Sequence, residues 1–192
     1  LAPVAADLLG AASEQLPAGL QHLADTLRNE GAIPQLEPPD GLVANLRPYQ
    51  LRGWSWLHFL AQQQMGAVLA DDMGLGKTVQ TLALLEATRG DGPALVVAPT
   101  SVLRNWQEEA RRFTPQLRLG LLHGSKRSSQ LQRVATGELD LAVTSYAILR
   151  RDIDSLREVE FRTVVLDEAQ AIKNPDSQTA RAARSLRAQH RI

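Results

Sequence analysis

Lys77, Thr78, Asp167 and Glu168 are the residues whose types and settings suit phosphate chemistry. Residues 68–78 read Val-Leu-Ala-Asp-Asp-Met-Gly-Leu-Gly-Lys-Thr, an apolar run that breaks into a glycine-lysine-threonine turn before a helical pattern. Backbone N–H groups of such a turn, with the positive end of the next helix, face phosphate oxygens, and small glycines allow close approach. Asp72, Met73, Gly74, Leu75 and Gly76 would form the cradle. Lys77 would reach the β- and γ-phosphates, and Thr78 would offer its hydroxyl to Mg²⁺. The usual cradle starts with glycine where Asp71 stands, so a plain glycine turn before a helix stays open on this segment alone.

The second half of the chemistry lies near the far end. Thr163-Val164-Val165-Leu166 is a β-branched run that ends in Asp167-Glu168, as expected of a buried parallel strand delivering side chains at its C-terminal edge. Asp167 would hold the Mg²⁺ shell, and Glu168 would orient and deprotonate an attacking water. Alone, such a pair reads as a solvated loop start or a charge pair at a helix N-terminus. With Lys77 upstream it reads as the hydrolytic half of a nucleotide site.

Positioning these residues takes a sheet. Apolar runs at Gly66–Ala70, Ala94–Ala98, Leu117–Leu122, Leu139–Thr144 and Thr163–Asp167 alternate with helical segments. That alternation predicts an α/β fold, a mainly parallel sheet with helices on both faces. The helices are read from stripes and caps. A well-buried helix starts at Pro48 with Leu51, Trp54, Leu57 and Leu60 on one side. Thr78–Thr88 follows the cradle, and Ser101 caps a helix carrying Leu103, Trp106, Ala110 and Phe113. Ser128–Thr136 and Ser177–Arg187 complete the set. Residues 1–41 read as an N-terminal appendage, with a helix over 17–30 and a Pro-rich connector over 33–41. The remainder reads as one compact domain.

The 192 residues include 21 basic and 21 acidic side chains, so nucleic acid would have to be bound locally rather than by bulk charge. Cysteine is absent, which excludes disulfides, zinc ribbons and thiol nucleophiles. No apolar stretch approaches a membrane span, and no leading signal segment is seen. The chain begins at Leu1 rather than methionine, and Gln189-His190-Arg191-Ile192 stops as if a strand were about to begin; both ends read as cut.

Several short motifs occur in one fixed order. They are Leu46-Arg47-Pro48-Tyr49-Gln50, Asp71–Thr78, Val97–Ser101 with Asn105-Trp106, Leu122-His123-Gly124, Thr144-Ser145-Tyr146, Leu166–Gln170 and Ile172–Pro175. The set closely resembles the first RecA-like, P-loop lobe of Swi/Snf-type (Snf-two family) ATPases of helicase superfamily 2, over residues 42–192. The resemblance implies ATP and Mg²⁺ as cofactors and double-stranded DNA as partner. It implies adenine reading by Gln50 with Arg47 nearby, and a link from Gln170 to a second lobe. It implies nucleic-acid contacts from Pro99, Thr100, Ser101, Arg104, His123, Gly124, Thr144 and Ser145, of a kind that positions phosphates without reading bases. Asp71 replaces the first cradle glycine in that family too. Trp106 reads instead as a packing anchor.

The resemblance further implies a motif with a Thr-Gly-Thr-Pro-like loop just after Ile192, then a second lobe carrying arginine fingers. Without that lobe, the chain is expected to bind Mg-ATP weakly and turn it over poorly. Its expected parent is a DNA-dependent ATPase that moves along duplex DNA and remodels protein–DNA complexes. An RNA-dependent helicase of the same superfamily and a non-catalytic nucleotide-responsive module are the alternatives. The implied location is cytoplasmic, beside the nucleoid, in a bacterium, which is the preferred reading, and nuclear in a eukaryote.

Overall fold

The computed structural model describes residues 33–72 and 74–192. The helix expected over 17–30 and the cradle residue Met73 lie outside the described residues. Among the described residues, five strands form one all-parallel sheet: β1 (Ala94–Ala98), β2 (Leu119–Leu122), β3 (Leu141–Ser145), β4 (Glu160–Leu166) and β5 (Arg187–Arg191), in the order β2-β3-β1-β4-β5. Seven α-helices among the described residues connect or precede them: α1 (Pro48–Gln62), α2 (Lys77–Ala87), α3 (Leu103–Phe113), α4 (Arg127–Ala135), α5 (Tyr146–Arg151), α6 (Ile153–Leu156) and α7 (Gln178–Ser185).

Successive strand residues serve opposite faces, which is why the sheet needs helices on both sides. Leu95, Val97 and Val164 pack with Val134, Leu149, Leu156 and Ala183 from α4 to α7. Ala94, Val96 and Val165 pack with Leu82, Leu85, Leu103 and Trp106 from α2 and α3. A third layer forms where Trp54, Leu57 and Ala61 of α1 meet Val79, Ala83 and Leu84 of α2. The Pro-rich connector packs on this layer, since Leu36 N donates to Ser55 Oγ at 2.9 Å and Trp54 Nε1 donates to the Glu37 carbonyl at 3.2 Å.

Three expectations are corrected. Gly66–Ala70 is not a strand, and Val68 is 84% exposed. Ala67 N donates to the Arg191 carbonyl at 2.8 Å, a single bridge to the edge of β5 rather than a ladder. The helix expected to run to Arg187 stops at Ser185, and residues 187–191 already form β5. Ser101 does not cap α3, because residues 100–102 form a 3₁₀ turn and Val102 precedes the helix without a side-chain bond. Ser177 does cap α7, accepting from Ala180 N at 3.1 Å.

Histidine burial gives the fold an acid-sensitive component. Burial holds His58 below the ordinary value of 6.5, and burial followed by the charge of Arg162 does the same for His190. Both rings are held neutral in the fold, whereas the unfolded chain takes up protons as the pH drops below 6.5. Stability should therefore hold above pH 6.5 and decline as the pH falls through the depressed values. Denaturant titrations between neutral and mildly acid pH should show that decline, and His190→Gln should flatten it.

No helix among the described residues is long and apolar enough to cross a membrane.

Candidate functional site

Parallel strands deliver all their C-terminal ends to one edge. The register aligns Ala98 with Ser145, Leu122 with Thr144, and Val97 with Leu166. His123 after β2, Ser145 at the end of β3, Pro99 after β1 and Asp167 after β4 therefore stand side by side in that spatial order. Chemistry written far apart in the sequence meets along one rim.

A cleft of about 390 Å³ opens there, lined by Asp71, Lys77, Thr78, Asp167, Glu168 and Gln170 among others. The glycine-lysine-threonine turn and the carboxylate pair thus share one cavity. Gly74 and Gly76 take positive φ values of 83° and 78°, in the left-handed region that glycine enters without strain. Lys77 opens α2, and its ammonium donates to the carbonyls of Asp71 at 2.7 Å and Asp72 at 3.1 Å. A phosphate entering the cleft would exchange for those carbonyls.

Gln50 reaches the same turn from α1. Its Nε2 donates to the Leu75 carbonyl at 3.1 Å, while its Oε1 accepts from Arg47 N at 2.9 Å. An amide has two donors and two acceptor positions, so one of each remains for a base. A second cavity, about 650 Å³, lies on that side and is lined by Leu42, Ala44, Leu46, Gln50 and Val79 among others.

The sequence left Gln80 unremarked. Its side chain is fully buried beneath the turn, where Nε2 donates to Asp71 Oδ2 at 3.0 Å and to the Gly76 carbonyl at 3.3 Å. Gly53 of α1 makes room for it, since a Cβ there would sit 1.8 Å from Gln80 Oε1. Asp71, where a glycine would be usual, is therefore the loop's anchor onto α2. Gly53→Ala should displace that amide. The expected cost is about 1–3 kcal/mol in denaturant unfolding, as for overpacked cores, together with weakened nucleotide binding.

Asp167 is held from three directions. Its N–H donates to the Val97 carbonyl at 2.9 Å, Trp106 Nε1 donates to Oδ2 at 2.8 Å, and the Tyr146 hydroxyl donates to its carbonyl at 2.9 Å. Burial, then the charges of Asp167 and Glu168, raise the Tyr146 pKa well above its usual value, so the hydroxyl stays a donor. Among the described residues nothing donates to Asp167 Oδ1. Glu168 has φ 53° and ψ 52°, a left-handed conformation costly for a side chain of this size, and Gln170 Nε2 donates to its Oε2. Mg²⁺ takes one or two protein oxygens alongside phosphates and waters. The Thr78 hydroxyl and the free Asp167 oxygen in one cleft fit that demand.

The expected nucleic-acid residues divide. Thr100, Ser101, Arg104, His123 and Gly124 are exposed and Pro99 is partly so, all on or beside the rim. Thr144 and Ser145 are buried, with their hydroxyls engaged inside the protein. Thr144 Oγ1 donates to the Leu122 carbonyl at 3.1 Å, and Ser145 Oγ accepts from Ile148 N at 3.3 Å to cap α5. They shape the rim from within. Trp106 is buried, as its place on the apolar stripe implied, but its indole N–H has a polar task that periodicity does not reveal.

Comparison with known proteins bears on the same residues. The family described as SNF2-related domain matches residues 49–192. The chain belongs to that family. Among relatives of this SNF2-related chain, YwqA of Bacillus subtilis (strain 168) is 42% identical over 165 residues, covering 83% of the chain and 18% of the relative. The ISWI chromatin-remodeling complex ATPase ISW1 of Saccharomyces cerevisiae is 36% identical over 163 residues, covering 81% and 14%. The Sulfolobus solfataricus SWI2/SNF2 ATPase core in complex with dsDNA superposes with a TM-score of 0.76 at 43% identity, over 83% of this chain and 33% of that one. The SNF2-related sheet and its flanking helices are accordingly the RecA-like fold of that core. The chain spans less than a fifth of the length of these curated relatives.

Proposed function

We propose that this chain is the ATP-binding lobe of a DNA-dependent ATPase that translocates on double-stranded DNA and remodels protein–DNA complexes. The observation that carries the reading is the single cleft shared by Lys77, Thr78, Asp167, Glu168 and Gln170. Catalysis of phosphoryl transfer is mostly positioning and charge neutralisation, so co-location of these groups is the essential requirement. Relatives named as chromatin-remodeling ATPases, and a solved core bound to duplex DNA, support DNA rather than RNA as the track.

In this reading the N–H groups of the turn from Asp72 through Met73, Gly74, Leu75 and Gly76 cradle the phosphates. Lys77 releases the Asp71 and Asp72 carbonyls to neutralise the terminal phosphates. Gln50, oriented by Arg47, pairs with the base through its remaining donor and acceptor. Thr78 and Asp167 would hold Mg²⁺, which when bound offsets phosphate charge. Glu168 takes a proton from the attacking water, and Gln170 orients Glu168 through its amide. Pro99, Thr100, Ser101, Arg104, His123 and Gly124 contact the DNA backbone. Thr144 and Ser145 support them from beneath.

A second lobe would supply arginine fingers, so the 192-residue chain alone should bind ATP weakly and hydrolyse it slowly. The complete enzyme would work where its DNA is, beside the nucleoid in a bacterial cytoplasm or in a eukaryotic nucleus. Steady-state ATP turnover by the complete protein, with duplex DNA, RNA or no nucleic acid, tests the proposal. Stimulation by duplex DNA is the expected result. Equal rates in all three conditions, or stimulation by RNA alone, would overturn it.

A further inference from the structure

The Mg²⁺ carboxylate does not set its own direction. Asp167 follows the open end of β4 and lines the cleft with Thr78, where an aspartate side chain has several rotamers to choose among. Trp106 restricts that choice. Its ring is 3% exposed in the core beneath the sheet, and its Nε1 donates to Asp167 Oδ2 at 2.8 Å. An indole N–H is a donor only, so this bond has one polarity and holds only with an acceptor facing it. A rigid ring fixed in a packed core makes a firm anchor for the flexible carboxylate.

We propose that Trp106 is a positioning residue for Mg²⁺, fixing the Asp167 carboxylate so that Oδ1 faces the Thr78 hydroxyl. Trp106 touches neither nucleotide nor ion; it acts through Asp167. This rests on the nucleotide-site reading above and adds a role for the α3 core side chain. Partners that orient a metal ligand commonly contribute about ten- to hundredfold in metal affinity.

The test uses the 192-residue chain and a fluorescent ATP analogue, titrated in EDTA and across a Mg²⁺ series. Trp106→Phe keeps a buried aromatic ring and removes the donor. Leu103→Ala, in the same core and on the same helix, lowers packing without touching Asp167. The expected result is that Trp106→Phe raises the Mg²⁺ concentration for half-maximal enhancement by about tenfold or more, while affinity in EDTA stays at the wild-type level. Leu103→Ala should lower the melting temperature and leave the Mg²⁺ dependence unchanged.

An unshifted Mg²⁺ curve for Trp106→Phe overturns the inference and leaves the nucleotide site standing. An equal shift in Leu103→Ala overturns it as well, because the effect would then be general loosening of the core. A wild-type chain that binds no nucleotide defeats the functional reading, and this inference with it.

Discussion

Lys77→Ala is expected to weaken ATP binding by the 192-residue chain roughly ten- to hundredfold, the effect of losing a hydrogen bond to a charged group worth about 1.5–3 kcal/mol. In the complete protein, DNA-stimulated turnover should fall by at least about 10²-fold, because the lysine also meets charge that develops during transfer. Calorimetric titration and a turnover assay check the two values. Thermal melting gives the control. Lys77 is only partly buried and its ammonium bonds two loop carbonyls rather than core groups, so the melting temperature should move little. A variant that binds and turns over ATP at the wild-type level would remove Lys77, and with it the phosphate cradle, from the proposal.

Glu168→Gln separates binding from hydrolysis. Glutamine has nearly the same shape but cannot accept the proton of the attacking water, so turnover by the complete protein should drop about 10²- to 10⁴-fold. ATP affinity should remain within a few fold of wild type, since the cradle and the Mg²⁺ ligands are unaltered. The backbone supplies a second signature. Glu168 occupies the left-handed region at φ 53°, where a side chain costs roughly 1–2 kcal/mol. Glu168→Gly should therefore equal or exceed wild type in unfolding free energy while losing turnover. Full activity in Glu168→Gln would assign the proton to another group.

The two halves of the cleft were legible in the sequence because phosphate chemistry restricts residue types at fixed spacing: Gly74, Gly76, Lys77 and Thr78 on one side, Asp167 and Glu168 on the other. The strands with buried β-branched runs were legible for a similar reason, since nothing else explains Leu95-Val96-Val97 or Val164-Val165. β5 is the contrary case. Arg187-Ala188-Gln189-His190-Arg191 is polar, and its place in the sheet comes from register with Glu160–Val164 rather than from its own pattern. The burial of Thr144 and Ser145 was not legible, because a hydroxyl at a strand end looks the same in sequence whether it faces solvent or bonds a neighbouring carbonyl. Gln80 and the Trp106 indole gave no signal at all. Their roles depend on what lies across from them, Gly53 and Asp71 for one and Asp167 for the other, and that is a property of the packed chain.

The strand order β2-β3-β1-β4 also works as a ruler. Neighbouring strands in a sheet lie about 4.8 Å apart, so the loop after β1 stands one strand width from the carboxylate after β4, and the loop after β2 stands three. Those intervals are fixed by backbone hydrogen bonds. Helices and loops on the far edge can lengthen or shorten without altering them. A duplex presents its own graduated scale, one phosphate per 3.4 Å of axis on each strand. On the proposed function, the rim would set a constant offset between where a DNA backbone is gripped and where a phosphoanhydride bond is cut. Only a change of strand order could reset that offset.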